Sequence, residues 1–154
     1  ETGHKPMPTL HFSTVINAPK EQVWKTMLED ATYRQWTEAF MPGSHVVGNW
    51  KEGSKIQFLA ADESGKLSGM TSQIAVNKQH EFISIHHLGI VNQGVEDTTS
   101  AEAKKWVGFE NYTFTEQDGQ TTLTVDLDVP QEFVEEMEKG WSAALAKLKE
   151  IAEK

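Results

Sequence analysis

The sequence predicts an α+β fold: a curved antiparallel sheet of about six to seven strands around one long C-terminal helix, with two short helices after the first strand. Three observations carry this. Pro130 to Lys154 is the longest helical pattern, with Val134, Met137, Trp141, Leu145, Leu148 and Ile151 recurring at steps of three and four and Ala144 and Ala152 beside them. From His45 to Val129 the chain reads as short alternating segments separated by turn residues. Helical patterns otherwise occur only between the first strand and that run, an order that segregates strands from helices. At 1.5 Å per residue the terminal helix would run to roughly 35 Å, so its apolar stripe needs a surface as broad as a sheet.

The elements follow in order. ETGHKP has no periodicity; residues 1–8 are expected to be disordered or left from expression, with Met7 the native start, and residues 9–154 to form one domain. In LHFSTVINAP, Leu10, Phe12, Thr14 and Ile16 alternate with His11, Ser13, Val15 and Asn17, a strand. Asn17 is expected to cap KEQVWKTMLED, where Pro19 opens the first turn and Val23, Trp24, Met27 and Leu28 form a stripe. A second short helix is expected through ATYRQWTEAF, ended by MPGS. HVVGNW, KIQFLAAD, LSGMTSQIAVNK, EFISIHHLG, WVGFENYTFTEQ and TTLTVDLDV read as strands. Between the last three pairs lie NKQH, the long connection IVNQGVEDTTSAEAKK, and QDG. The long connection is polar and acidic, and loops of that length tend to be mobile or functional, so it is a candidate lid. Pro130 suits a first helical turn, with Asp128 just ahead placing negative charge at the positive end of the helix dipole.

Composition removes several function classes. Fourteen basic against 23 acidic residues give a net charge of −9, with no basic cluster, so nucleic acid is not an expected partner. Without cysteine there are no disulfides, thiolate metal sites or thiol catalysis, which fits a reducing, cytoplasmic location. No apolar run approaches the ~20 residues that span a bilayer, so no membrane insertion is expected. His86 and His87 point to opposite faces of one strand, and the other histidines lack ligand spacing, so no metal is expected. Phosphate-cradling, dinucleotide and Gly-x-Ser-x-Gly signatures are missing, and no cofactor is implied.

The residues Ile16 to Pro19 leading into Val23 and Trp24, then Tyr33, Trp36 and Thr37, and the terminal Gly140, Trp141, Leu145 and Leu148 resemble the helix-grip superfamily. That superfamily, abbreviated SRPBCC, includes START lipid-binding domains and the birch-pollen allergen. The sequence looks most like small proteins homologous to the C-terminal domain of the heat-shock-protein ATPase activator, over residues ~9–152. The resemblance implies an apolar pocket between sheet and long helix that in relatives accepts lipids, polyketides, hormones or other small hydrophobic molecules. One fold hosts unrelated activities, so function must come from the site.

Strand phase nominates the inward residues. Ile83, Ile85 and His87 form one face of EFISIHHLG; Trp106, Gly108, Glu110, Tyr112 and Phe114 form the aromatic face of WVGFENYTF; Leu123, Val125, Leu127 and Val129 face the core. Ile56, Phe58, Met70, Ser72, Ile74 and Val76 are expected on the same concave side. The inward polar groups are then His87, Glu110, Tyr112 and Ser72. A buried carboxylate costs several kcal/mol unless paired, so Glu110 is expected to pair with His87 or to sit at a wet pocket mouth. Trp24 and Trp141 lie on apolar helix faces; Trp36, Trp50 and Trp106 are candidates for a pocket rim.

The leading expectation is binding of a small hydrophobic or amphipathic ligand or lipid by His87, Glu110, Tyr112, Ile85, Trp106, Trp36 and Trp141. An alternative is an enzyme of the polyketide cyclase or aromatase type, with Glu110 or His87 moving a proton. A third is a co-chaperone module. The resembled activator carries a separate N-terminal domain for which 154 residues leave no room, which disfavours a chaperone partner.

Overall fold

The computed structural model describes residues 7–154, so the expectation for ETGHKP lies outside the described residues. In chain order come β1 (Thr9–Ile16), α1 (Lys20–Leu28), α2 (Asp30–Trp36) with a 3-10 turn at Thr37–Ala39, β2 (His45–Gly48), β3 (Lys55–Ala61), β4 (Leu67–Lys78) and β5 (Phe82–Asn92). Then follow β6 (Val95–Asp97), α3 (Ala101–Lys104), β7 (Gly108–Gln117), β8 (Gln120–Asp128), a 3-10 turn at Gln131–Phe133 and α4 (Val134–Ala152). The strands form one antiparallel sheet of order β1-β8-β7-β5-β4-β3-β2, with β6 paired to the far end of β5. This is the α+β architecture expected, with one strand more than the alternation indicated.

The extra strand comes from the long connection. Gln93 and Gly94 both take positive φ, 50° and 83°, the two-residue turn whose twist suits a tight hairpin. β5 therefore folds straight back into β6, with Asn92 opposite Val95 and Ile90 opposite Asp97. Ser100 then caps α3 by accepting from Ala103 N–H at 3.1 Å. Beyond His87 the neighbour of β5 changes from β7 to β6. The connection expected as a loop and candidate lid thus carries a strand and a short helix: Glu96 on β6 reaches Lys55 at 2.8 Å and Gln57 at 3.0 Å on β3, and also accepts from the Thr71 hydroxyl on β4. The Asp118-Gly119 turn between β7 and β8 has the same left-handed pair, 53° and 79°.

Two helix starts differ from expectation. Asn17 does not cap α1; its side-chain carbonyl accepts from Gln120 Nε2 at 2.5 Å, and Pro19 holds the cap position. The free N–H of Lys20 is instead met by the Glu116 carboxylate of β7 at 3.0 Å, an anion at the positive end of the helix dipole supplied from the sheet. Pro130 stays extended, and the α-helix proper begins only at Val134.

α4 buries Trp141, Ala144, Leu145, Leu148 and Ala152 against β1 and the short helices. Against them stand Ile83 and Ile85 of β5, Tyr112 and Phe114 of β7, and Leu123, Val125 and Leu127 of β8, with Val129 just beyond, all buried on the expected phases. β4 departs from its phase: a bulge after Ile74 leaves Ala75 unpaired, so Val76 falls opposite Ser84 and Asn77 opposite Ile83. Asn77, not Val76, takes the inward register, and its amide donates to the Trp50 carbonyl at 2.7 Å. Among the described residues no helix is long and apolar enough to cross a membrane.

Candidate functional site

A second irregularity in the pairing of β4 with β5, at Thr71/Ser72, borders the site. Ser72 stands directly opposite His87 on β5, and Leu88 is the extra residue that the bulge leaves unmatched. On the other side of β5, His87 faces Gly108 of β7, which has no side chain to intervene. The imidazole therefore reaches diagonally to the next inward residue of β7, Glu110. His87 Nδ1 lies 2.7 Å from Ser72 Oγ, and His87 Nε2 lies 2.9 Å from Glu110 Oε1. The tautomer with its proton on Nε2 satisfies both: Nε2–H donates to the carboxylate and Nδ1 accepts from the serine hydroxyl. Tyr112, two residues along β7, donates its hydroxyl to the other carboxylate oxygen.

The sheet thus supplies a polar chain, Ser72–His87–Glu110–Tyr112, on a largely apolar face. Ser72 and Tyr112 are buried, and the His87 and Glu110 side chains are 8% and 15% exposed. Each carboxylate oxygen has one donor, which offsets its desolvation and leaves further acceptor positions open. Electrostatics holds the neighbouring phenols neutral. Burial, and after it the charge of Glu110, pushes the Tyr33 hydroxyl well above its ordinary 10. Tyr112 moves the same way for the same two causes, with Tyr33 adding a smaller push.

Above this chain the sheet, α2 and α4 enclose a partly open space of about 690 Å³. Its floor includes Phe58, Met70, His87, Glu110 and Tyr112; Tyr33 and Trp36 of α2 form one wall, and Met137 and Trp141 of α4 another. Phe40 and the Trp106–Phe133 pair, with centroids 4.8 Å apart, stand at the sides. Gly140 belongs to the same construction, since a Cβ there would sit 2.8 Å from the Phe40 ring, which packs edge-on against Trp141. A second hollow of about 310 Å³ lies beside β6, bordered by Lys55, Thr71, Gln73 and Glu96. It is smaller and bridged by the Glu96 contacts, and none of its bordering side chains is aromatic.

Of the residues nominated from sequence, His87, Glu110, Tyr112, Trp36, Trp106 and Trp141 meet at the larger space. Ile85 does not: it is fully buried and points into the core below the polar chain. Phase identifies a face but not which level of the face is already covered by α1 and α4. Trp36 lines the space with its ring, while its indole N–H is spent on the Met27 carbonyl at 3.1 Å. Trp50 packs on Tyr33 and Phe58 outside the lining. Tyr33 and Ile90 were not nominated; Tyr33 reads as an ordinary apolar position of a short helix, and Ile90 fell in the connection read as a loop. Among the described residues no group of three or more His, Cys, Asp or Glu is arranged to hold a metal ion.

An antiparallel sheet closed over by a C-terminal helix, with α1 and α2 inserted after the first strand, defines the class: a START-like helix-grip domain. Within it the chain belongs to the family described as activator of Hsp90 ATPase homolog 1-like protein, whose model matches residues 17–153. Solved structures of the same fold include protein Ms6760 from Mycobacterium smegmatis, 17% identical over 93% of this chain and 89% of that one, with a TM-score of 0.69. Protein CV1439 from Chromobacterium violaceum is 20% identical over 95% and 97% of the two chains, with a TM-score of 0.65. CalU16 from Micromonospora echinospora is 15% identical over 94% and 75%, with a TM-score of 0.66. At these identities the likeness is one of fold. No curated protein sequence matches the chain.

Proposed function

We propose that this domain binds a small hydrophobic or amphipathic molecule between the concave face of the sheet and α4, with the polar end of the ligand on Glu110, His87 and Tyr112. The observation that carries this reading is the hydrogen-bonded group His87, Glu110 and Tyr112 at the floor of an aromatic-walled space of about 690 Å³, with Ser72 bonded to the Nδ1 side of His87 behind it. That volume is within the range of small-molecule sites, which combine apolar walls with a few fixed polar groups. Aliphatic and aromatic walls supply most of the affinity, and the polar chain orients the ligand.

Nile red, a neutral hydrophobic dye, tests the location by methyl NMR. The methyls of Met70, Ile90, Val91 and Leu127 should shift together in a saturable one-to-one titration, while those of Val15, Val47 and Leu88 stay still. Shifts confined to the second group, or scattered without saturation, would rule the site out.

The His87–Glu110 contact also favours a second reading, in which the site moves a proton between imidazole or carboxylate and a bound carbonyl compound, as an aldol-type ring closure requires. A ligand chemically altered by the parent and recovered unchanged from His87→Ala would support it; no alteration by either leaves binding alone.

A further inference from the structure

The charged residues that line the pocket are acidic rather than basic. Its lining includes Asp62, Glu102, Glu110, Asp128 and Glu136, with His87 as the single basic side chain and, among the described residues, no lysine or arginine. Lys105 lies beside the mouth, but its ammonium is held by Glu102 at 3.3 Å and Glu132 at 3.2 Å. Glu102 shares that ammonium, and the carboxylates of Asp62 and Asp128 accept from Ser64 and the Lys66 N–H and from Thr9 and the Phe109 N–H, so Glu110 is the carboxylate that meets His87 and Tyr112 at the floor. Carboxylates at the mouth are screened by salt, whereas Glu110 sits where screening is weak. Its carboxylate can only accept hydrogen bonds, so a ligand group that meets it must donate.

The walls add a second preference. Tyr33 and Trp36 have ring centroids 5.4 Å apart, Trp36 and Trp141 5.8 Å, and Trp141 and Tyr112 6.0 Å, so aromatic rings follow one another from α2 across α4 to the carboxylate. The charge of Glu110 is felt by both tyrosines of this series, which places them in its neighbourhood. Aromatic faces attract a cation within ~6 Å and repel an anion. A buried acceptor, a ring-lined approach and a lining without lysine or arginine discriminate in the same direction.

We propose, resting on the ligand-binding reading above, that the pocket selects hydrophobic amines. The protonated amine donates to Glu110 among the rings of Tyr33, Trp36, Tyr112 and Trp141, the apolar body fills the space under α4, and molecules ending in a carboxylate are excluded. Three probes with one body and different ends test this by calorimetry on the full chain at neutral pH: phenylbutylamine, phenylbutanol and phenylbutyrate. The amine should bind about tenfold or more tighter than the alcohol, the acid should show no saturable binding, and Glu110→Gln should erase the advantage of the amine over the alcohol. If Glu110→Gln fails to fold, the amine-to-alcohol ratio of the parent decides alone. An alcohol or acid that binds as tightly as the amine overturns the selectivity and leaves the pocket reading standing; three probes that all fail to saturate in the millimolar range overturn both.

Discussion

Trp141→Ala removes the side chain that joins the core to the proposed pocket. Trp141 is 3% exposed, and its ring meets Phe12 at 6.1 Å, Trp36 at 5.8 Å, Phe40 at 5.1 Å and Tyr112 at 6.0 Å between centroids. Truncating a buried tryptophan costs about 3–5 kcal/mol, and four aromatic neighbours place this one at the upper end. Domains of this kind have only about 5–15 kcal/mol in total. The loss corresponds to a melting temperature lowered by about 6–20 °C for a chain of this length. Leu148→Ala is the control: Leu148 is fully buried on the same helix but is not in the pocket lining, and it should cost about 2–5 kcal/mol. Urea unfolding followed by circular dichroism gives both losses, and Nile red titration of the folded variants separates them, since only Trp141→Ala should weaken the dye. A Trp141→Ala variant within about 1 kcal/mol of the parent would refute the joint role given to this residue.

Three further outcomes follow. The folded state holds the Tyr33 and Tyr112 phenols well above their ordinary 10, so up to about pH 10 both states keep these protons and stability is unaffected. Above that pH the unfolded chain releases protons that the folded one retains, and stability falls by about 1.4 kcal/mol per pH unit for each tyrosine. Urea melts between pH 10 and 11 should show a shallower fall for Tyr33→Phe and Tyr112→Phe; identical slopes in parent and variants would contradict the burial of both phenols beside Glu110. Glu96, held below its ordinary range first by Lys55 and next by Thr71, contributes stability at neutral pH that is lost as pH falls through its lowered folded value. Because the pair is largely exposed, Glu96→Gln should cost less than about 1 kcal/mol globally while speeding amide exchange in Val95–Asp97, and unchanged exchange there would show that β6 does not depend on it. With a net charge of −9, no DNA or RNA binding is expected at physiological salt, and a salt-sensitive micromolar gel shift would overturn that.

Much of the fold was legible because its signals are periodic. The α4 stripe and the alternation in β5, β7 and β8 each gave the buried face, and two of those phases were enough to predict that His87 and Glu110 share one space. What stayed hidden depends on events that periodicity does not encode. The bulge after Ile74 turned Val76 away from the expected face and brought Asn77 in. Gln93-Gly94 forms a hairpin turn inside a stretch whose acidic composition read as loop. The N-terminus of α1 is satisfied by Glu116, 96 residues away, rather than by the nearby Asn17. Ser72 was nominated only by its phase; its pairing with His87 lies between two bulges, at Ala75 of β4 and Leu88 of β5, backbone irregularities that side-chain alternation does not reveal.

Native mass spectrometry of the full chain purified from its own cells tests the central claim most directly. The account predicts a stoichiometric adduct of small-molecule mass, released on denaturation, lost or diminished in Glu110→Gln, and identified on extraction as a hydrophobic molecule with a hydrogen-bond-donating end. A chain that flies only at its sequence mass, with no stoichiometric organic molecule in the extract, would contradict it.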